Sequence, residues 1–318
     1  MAKAKKIDKT PPGFQVIESE GMTWINVSKP TTNTLKILQK RYPFFLDIDL
    51  GDCLPPFQRP KLLERNDYLF MVLLYPTYDR QEKTVRPVEV DFFVGRDFVV
   101  TSHVEMLEPL VQLARDCIRD DHACDLRLGA DPPTMMFNIL HELLVSVFPI
   151  LTRMTNDILL AERQIFDESG HNTIRSILRI KSNIVQCRQA MQGHKMVIRK
   201  FVQRGQKLFA MDNMDIYYED LIGHTKEIWD YLENDKDTIS AVYDSHTSLV
   251  THNTSQASQR LAALALIIFP TTLIAAIFAM GAENMPIKGH PYDFEIMLAL
   301  VLVTMLGTIS FLKWKRWL

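Results

Sequence analysis

LAALALIIFPTTLIAAIFAMGA, Leu261 to Ala282, runs for 22 residues without a formal charge, and IMLALVLVTMLGTISFL follows it from Ile296 to Leu312 after a short polar loop. A hydrocarbon core of about 30 Å takes roughly 20 helical residues, so the first run spans a bilayer and the second spans it with its flanks. Some 260 residues precede them. The order predicts a large polar body that ends in a two-helix membrane hairpin.

Positive charge sets the orientation. Arg260 precedes the first span, and Lys313, Lys315 and Arg316 follow the second, so both ends are expected in the cytoplasm. The loop between them carries Glu283, Asp293 and Glu295 against Lys288 and faces outward. Tyr292, Trp314 and Trp317 suit the two interfaces as aromatic anchors. The start, Met1 to Gly13, is polar and lysine-rich and does not read as a secretory signal. An integral protein of a bacterial inner (plasma) membrane is expected, in contact with lipid.

The chain holds 36 Lys and Arg against 38 Asp and Glu, a net charge of −2, and shows no basic stripe, so nucleic acid is not an expected partner. Cys53, Cys117, Cys124 and Cys187 lie in the part assigned to the cytoplasm and read as free thiols. Cys117, His122 and Cys124 do not match the spacing of a standard zinc site. Asp120 and Asp121 beside His122 read as a solvated loop, and no nucleophile with its base is apparent, so an enzyme is not expected.

The first third alternates β-rich runs with turn residues. Met22 to Val27, Tyr68 to Leu74, Val88 to Val94 and Phe98 to Thr101 are expected strands, with helices at Thr31 to Gln39 and around Leu107 to Cys117. The domains are read as an α/β module over 1–131, a long helical region over 132–216, a stalk and pore-neck helix over 217–260, the first span over 261–282, the outer loop over 283–295, the second span over 296–312 and a basic tail over 313–318. Between Pro149 and Pro270 lie 120 proline-free residues, which read as long helices broken at Asp167 to Asn172, where Asn172 would cap, and at Gly205 to Asn213. The last helix then runs from Tyr217 into and through the membrane, roughly 90 Å at 1.5 Å per residue.

That helix carries an apolar seam at Leu221, Ile228, Leu232, Ile239, Val242 and Leu249 with heptad spacing. The seam fits either packing between subunits or a helical hairpin within one. Above it, Thr251 to Gln259 holds amides and hydroxyls but no formal charge, which suits a water-filled neck or, alternatively, a frayed hinge. From the neck a stripe climbs in steps of 3 and 4 through Ser255, Ser258, Ala262, Ala265, Phe269, Thr272, Ala276 and Ala279, all small except Phe269. Small residues permit close helix packing in lipid, or they line a pore. Copies of Phe269 facing one another would form a dry constriction that gates by dewetting. Pro270 breaks the ladder beside Thr271 and Thr272, whose hydroxyls are placed to satisfy freed carbonyls.

From Pro56 to the C terminus the chain resembles the CorA family of divalent-cation channels and transporters. The likeness lies in Arg59 to Glu64 with Asn66 to Leu73, Phe93 to Thr101, the Tyr-x-x-Asp-x-x-x-His pattern of Tyr217, Asp220 and His224, then Phe269 to Ala275, Met285-Pro286 and Lys315 to Leu318. The resemblance implies a membrane protein with a funnel-shaped cytoplasmic α/β head, long stalk helices, two C-terminal transmembrane helices and homopentameric assembly around one pore. It implies Mg²⁺ and other divalent cations as transported ions, and Asp220 as a ligand of regulatory ions between subunits. No cofactor is implied. The family's Gly-Met-Asn signature is here Ala279-Met280-Gly281. Mg²⁺ sheds water reluctantly, so its filter must recognise the hydrated ion. Gly281 offers only a carbonyl, with Glu283 and Asn284 just outside, and reduced selectivity admitting Zn²⁺, Co²⁺ or monovalent ions is expected. A zinc transporter of the same superfamily and a non-conducting ion sensor are the alternatives. No Walker A loop supports a pump.

Overall fold

The computed structural model describes residues 11–19, 21–104, 107–119, 124, 129, 131–165, 170–209, 214–280 and 291–315. They fall into two compact units, Met1–Tyr243 and Asp244–Leu318.

The first unit is built on a six-stranded sheet with the order β1-β2-β6-β5-β4-β3. Its strands are β1 (Phe14–Ser19), β2 (Met22–Ser28), β3 (Lys61–Glu64), β4 (Leu69–Asp79), β5 (Thr84–Val94) and β6 (Phe98–His103). All neighbours are antiparallel except β2 and β6. The central strands read as continuous apolar runs because both faces are covered. Leu69, Met71 and Leu73 of β4 with Val88, Val90 and Phe92 of β5 enter the larger core. Phe70, Val72 and Phe93 enter a smaller core on the opposite face. The β5–β6 turn closes through Gly95 N–H donating to the Phe98 carbonyl at 2.9 Å, and any side chain at Gly95 would overlap the Phe98 ring.

Helices α1 (Thr32–Arg41) and α2 (Asp47–Asp52) cover the smaller core. Thr31 and Thr34 form a capping box at the start of α1. Helix α2 is held by charge. The buried Asp49 carboxylate accepts from Arg65 Nε at 2.8 Å, Arg65 Nη2 at 2.6 Å and the Tyr68 hydroxyl at 2.7 Å. Burial pushes the Tyr68 phenol up to about 12, so it stays a donor.

The larger core lies under α3 (Glu108–Arg119), α4 (Pro132–Val145), α5 (Phe148–Ile165), α6 (Gly170–Met191) and α7 (His194–Gly205). The span Pro132–Ile165 is long and apolar enough to cross a membrane by length and composition, yet Met135, Met136, Ile139, Leu140, Leu143 and Leu144 are core residues of the head. Asn183 ties α6 to the sheet: its Oδ1 accepts the Val85 N–H at 2.9 Å and its Nδ2 donates to the Lys83 carbonyl at 3.0 Å.

Two strands and two features of the helical region depart from the expectations above. Strands β1 and β3 are the sheet edges, where one flank lacks a partner and the apolar pattern is weak. Asn172 lies inside α6 rather than capping it, since the helix already starts at Gly170. A further break falls at Gly193, where a Cβ would overlap Pro60. Asp120, Asp121 and His122 lie outside the described residues. Cys53, Cys117, Cys124 and Cys187 are buried, and none of them is in a disulfide among the described residues.

Replacing Asp49 by alanine leaves the Arg65 guanidinium and the Tyr68 hydroxyl uncompensated against the smaller core, and is expected to cost about 3–5 kcal/mol. Denaturant unfolding of the full-length protein in detergent measures it, and a loss under ~1 kcal/mol would show that solvent reaches the pair.

Candidate functional site

Helix α8 (Asp215–Ala279) is continuous for 65 residues with Pro270 inside it, and α9 (Asp293–Trp314) follows. Within the first unit, the seam residues Leu221, Ile228, Leu232, Ile239 and Val242 are buried in the larger core of this same chain. The in-chain hairpin is therefore the arrangement over Leu221 to Val242, and Leu249 is only half-buried. Polar ties reinforce it. Tyr218 Oη donates to the Pro133 carbonyl at 2.8 Å, and the Thr155 hydroxyl donates to Asp235 at 3.1 Å. Arg188 pairs with Glu233 and stacks 4.6 Å from the Trp229 ring. Burial raises the Asp235 carboxyl above its ordinary range, opposed only by the Thr155 bond.

Asp220 stands on this helix with a side chain 63% exposed, and its Oδ2 lies 3.5 Å from His224 Nε2. His224 Nδ1 lies 3.8 Å from Glu227 Oε2, and the His141 ring is 5.7 Å away. Among the described residues no three His, Cys, Asp or Glu side chains are arranged to hold a metal ion. Among the described residues a cation at Asp220 finds no complete set of ligands.

In the second unit the neck, Thr251 to Gln259, is helical and exposed throughout. Thr251 and Thr254 donate to the carbonyls of Thr247 and Val250 at 2.9 and 2.8 Å, so a frayed hinge is not what these residues form. His252 and Gln256 are hydrogen-bonded at 2.9 Å along one side of the neck. Its surface offers neutral donors and acceptors without a fixed charge.

Ser255, Ser258, Ala262, Thr272, Ala276 and Ala279 are exposed, Ala265 is half-buried, and Phe269 is 71% exposed. Burial falls on a different face of the helix: Ala263 is buried and Ile267, Pro270, Ile274 and Phe278 are half-buried. The small-residue stripe is thus exposed except at Ala265, as are the bulky Leu261, Leu264, Ile268, Leu273 and Ile277 beside it. The Thr271 hydroxyl donates to the Ile267 and Ile268 carbonyls at 3.1 and 2.8 Å, and Thr272 donates to Ile268 at 2.8 Å. Pro270 lacks the N–H that would meet the Leu266 carbonyl, so the hydroxyls serve carbonyls one and two residues further on. Gly281, Glu283 and Asn284 lie outside the described residues.

Tyr292 and Trp314 bracket α9 and are 61% and 78% exposed. Twenty-two helical residues rise about 33 Å, which matches a hydrocarbon core with aromatic rings at both rims.

A soluble α/β unit, a very long helix with an uncharged neck and two apolar helices define a membrane ion-transport protein. The chain belongs to the CorA-like Mg²⁺ transporter protein family, whose profile matches residues 19–316. It is 24% identical over 303 residues to the cobalt/magnesium transport protein CorA of Thermotoga maritima, covering 95% of this chain and 85% of the relative. Its fold is similar to the complete structure of the CorA magnesium transporter from Methanocaldococcus jannaschii, with a TM-score of 0.81 at 16% identity over 93% of this chain and 92% of the other. The head alone is similar to the ZntB cytoplasmic domain from Vibrio parahaemolyticus, with a TM-score of 0.60 at 10% identity over 74% of this chain and 90% of that one.

Burial along the seam ends near Val242, so Leu232→Ala is expected to cost ~2–5 kcal/mol and Leu249→Ala under ~1 kcal/mol in unfolding of the detergent-solubilised protein. Equal losses at the two positions would place the end of the packed seam elsewhere.

Proposed function

We propose that the chain assembles as a homopentameric cation channel in which α8 of each subunit turns its uncovered stripe toward a central pore. One observation carries this reading. The small-residue stripe, exposed except at Ala265, continues without interruption into a neck free of formal charge. A hydrated divalent ion needs width and neutral hydrogen-bonding partners, because a fixed carboxylate in a narrow neck would bind it too tightly to release. Ser255 and Ser258 meet the ion's water shell, Ala262, Ala265, Thr272, Ala276 and Ala279 leave room for it, and the Phe269 ring forms the dry constriction.

The cargo is a divalent cation driven by its own gradient, Mg²⁺ in line with the family and Co²⁺ in line with the Thermotoga relative, with Zn²⁺ also admitted. Residues 1–216 form the cytoplasmic head, 217–260 the stalk and neck, 261–282 and 296–312 the two spans, and the 313–318 tail returns to the cytoplasm. Both termini then lie inside a plasma membrane. At the outer mouth, Gly281 replaces a ring of amides by backbone carbonyls, and Glu283 concentrates cations there without choosing among them. Asp220, largely exposed, accepts a regulatory cation together with groups of the neighbouring subunit.

Proteoliposomes loaded with ion-sensitive dyes test the selectivity. Wild type is expected to pass Mg²⁺ together with Co²⁺ or Na⁺, and Gly281→Asn to lower the fluxes of the other ions relative to Mg²⁺. A wild type that passes Mg²⁺ and rejects every other ion would refute the role given to Gly281. Phe269→Ala is expected to raise resting flux severalfold, and unchanged flux would remove Phe269 as the constriction. Particle images of the purified protein should count five subunits about one axis.

A further inference from the structure

On the smaller-core face of the sheet, Glu89 and Asp91 point the same way from β5, since alternate strand residues share a face. Both are buried, at 3% and 2% exposure. The strand spacing puts them roughly 7 Å apart at the backbone, and their carboxyl groups are in hydrogen-bond contact. Asp91 pairs in register with Ser102 of β6, which is fully buried. Asp91 Oδ1 and Ser102 Oγ both lack a hydrogen-bond partner.

The charges around the pair do not balance it. From α2, Asp49 is consumed by Arg65 in a two-point salt bridge. Asp52, also from α2, is consumed by Lys61 of β3 at 2.5 Å. The Cys53 thiol sits beside Asp91, and its own ionisation is pushed well up, by burial first and the Asp91 charge second. The Gln58 N–H donates to Glu89 Oε2 and favours a negative charge there. Lys61, the cation that acts on Glu89, is thus already matched, and two ionised carboxylates would leave a second buried charge with no counter-ion, at a cost of several kcal/mol.

We propose that Glu89 and Asp91 form a one-proton site in the head, with Glu89 ionised against the Gln58 N–H and Asp91 holding the proton. The ligand is H⁺ itself: Asp91 carboxylate plus a proton gives the neutral acid, which donates to Glu89. Burial, then the Glu89 charge, displaces Asp91 upward, and Glu89 moves the same way for the first of these reasons. The linkage sign follows. An unfolded aspartate releases its proton near pH ~4, whereas the folded pair keeps one, so the stabilisation is complete below that pH and is lost as the pH rises toward the folded value. The pair makes the head more stable on acidification, opposite to the effect of Glu64 and Glu233, whose carboxyls are lowered by Lys207 and by Lys236 with Arg188.

The thermal midpoint of the full-length protein in detergent, followed across about pH 5 to 8, tests the site. Asp91→Asn, an uncharged isostere, is expected to remove most of the difference in stability between the two ends of that range and to raise the midpoint at the alkaline end. Asp235→Asn, at the other raised carboxyl of the head, serves as the control and is expected to leave the Asp91-dependent part in place. Curves for wild type and Asp91→Asn that run parallel at every pH would overturn the proposal. Should Asp91→Asn fail to fold, Glu89→Gln decides: removing the neighbouring charge is expected to end the fall at lower pH, and an unmoved fall overturns the idea. Infrared spectra at neutral pH supply a direct reading. A protonated carboxylic acid band that shifts with ¹³C-aspartate and persists in Asp235→Asn is expected, and its absence rules the bound proton out.

Discussion

Every backbone polar group of α8 away from its ends and Pro270 finds its partner inside the helix, and that single property lets one element serve in three surroundings. Nowhere along 65 residues must a strand or loop be presented to the hydrocarbon, where an unpaired N–H or C=O costs several kcal/mol. Surroundings are then chosen by side chains alone. Leucine and isoleucine at heptad spacing meet the head core, hydroxyls and amides meet water, and alanine with isoleucine meets lipid or a neighbouring helix. At Pro270 the backbone condition is violated locally, and the Thr271 and Thr272 hydroxyls bond the neighbouring Ile267 and Ile268 carbonyls.

Buried acids in the head meet a comparable demand in three ways. Asp49 takes a bidentate arginine and a tyrosine hydroxyl, and fastens α2 to the β3–β4 hairpin. Asp235 takes a threonine hydroxyl between α5 and α8. Asp91, with its neighbours already paired, has only a proton to take. At each buried acid the available partner decides how the desolvation is offset. His194 shows the same rule for a base: fully buried, edge-on to Tyr75 at 4.8 Å, its imidazole is pushed down to about 4 and stays neutral.

Much of the head was legible in residue order. The cores of β2, β4, β5 and β6 stand out because residues buried on both faces form long apolar runs. β1 and β3 did not stand out, since an edge strand of four to six residues with one half-buried flank resembles a loop. Helix α2, DIDLGD, lacks any periodic signal; Arg65 and Tyr68, 16 and 19 residues from Asp49, hold it. The break at Gly193 gives no local signal, since the group against it, Pro60, lies far away in the chain. For the stripe, spacing alone identified the small residues, and the burial of Ala263 marks a face of the helix that the chain covers.

By itself, then, the order of residues determined the number and length of the apolar helices, the uncharged neck, the strand-rich head and the departure at Gly281, because each depends on local composition and on periods of 2 and 3.6 residues. Which partner fills the seam of α8 and which acids receive a cation were decided by the tertiary structure. Those are questions of distance between residues remote in the chain, and heptad spacing or a lone aspartate reads the same whether its partner comes from the next helix or from another subunit.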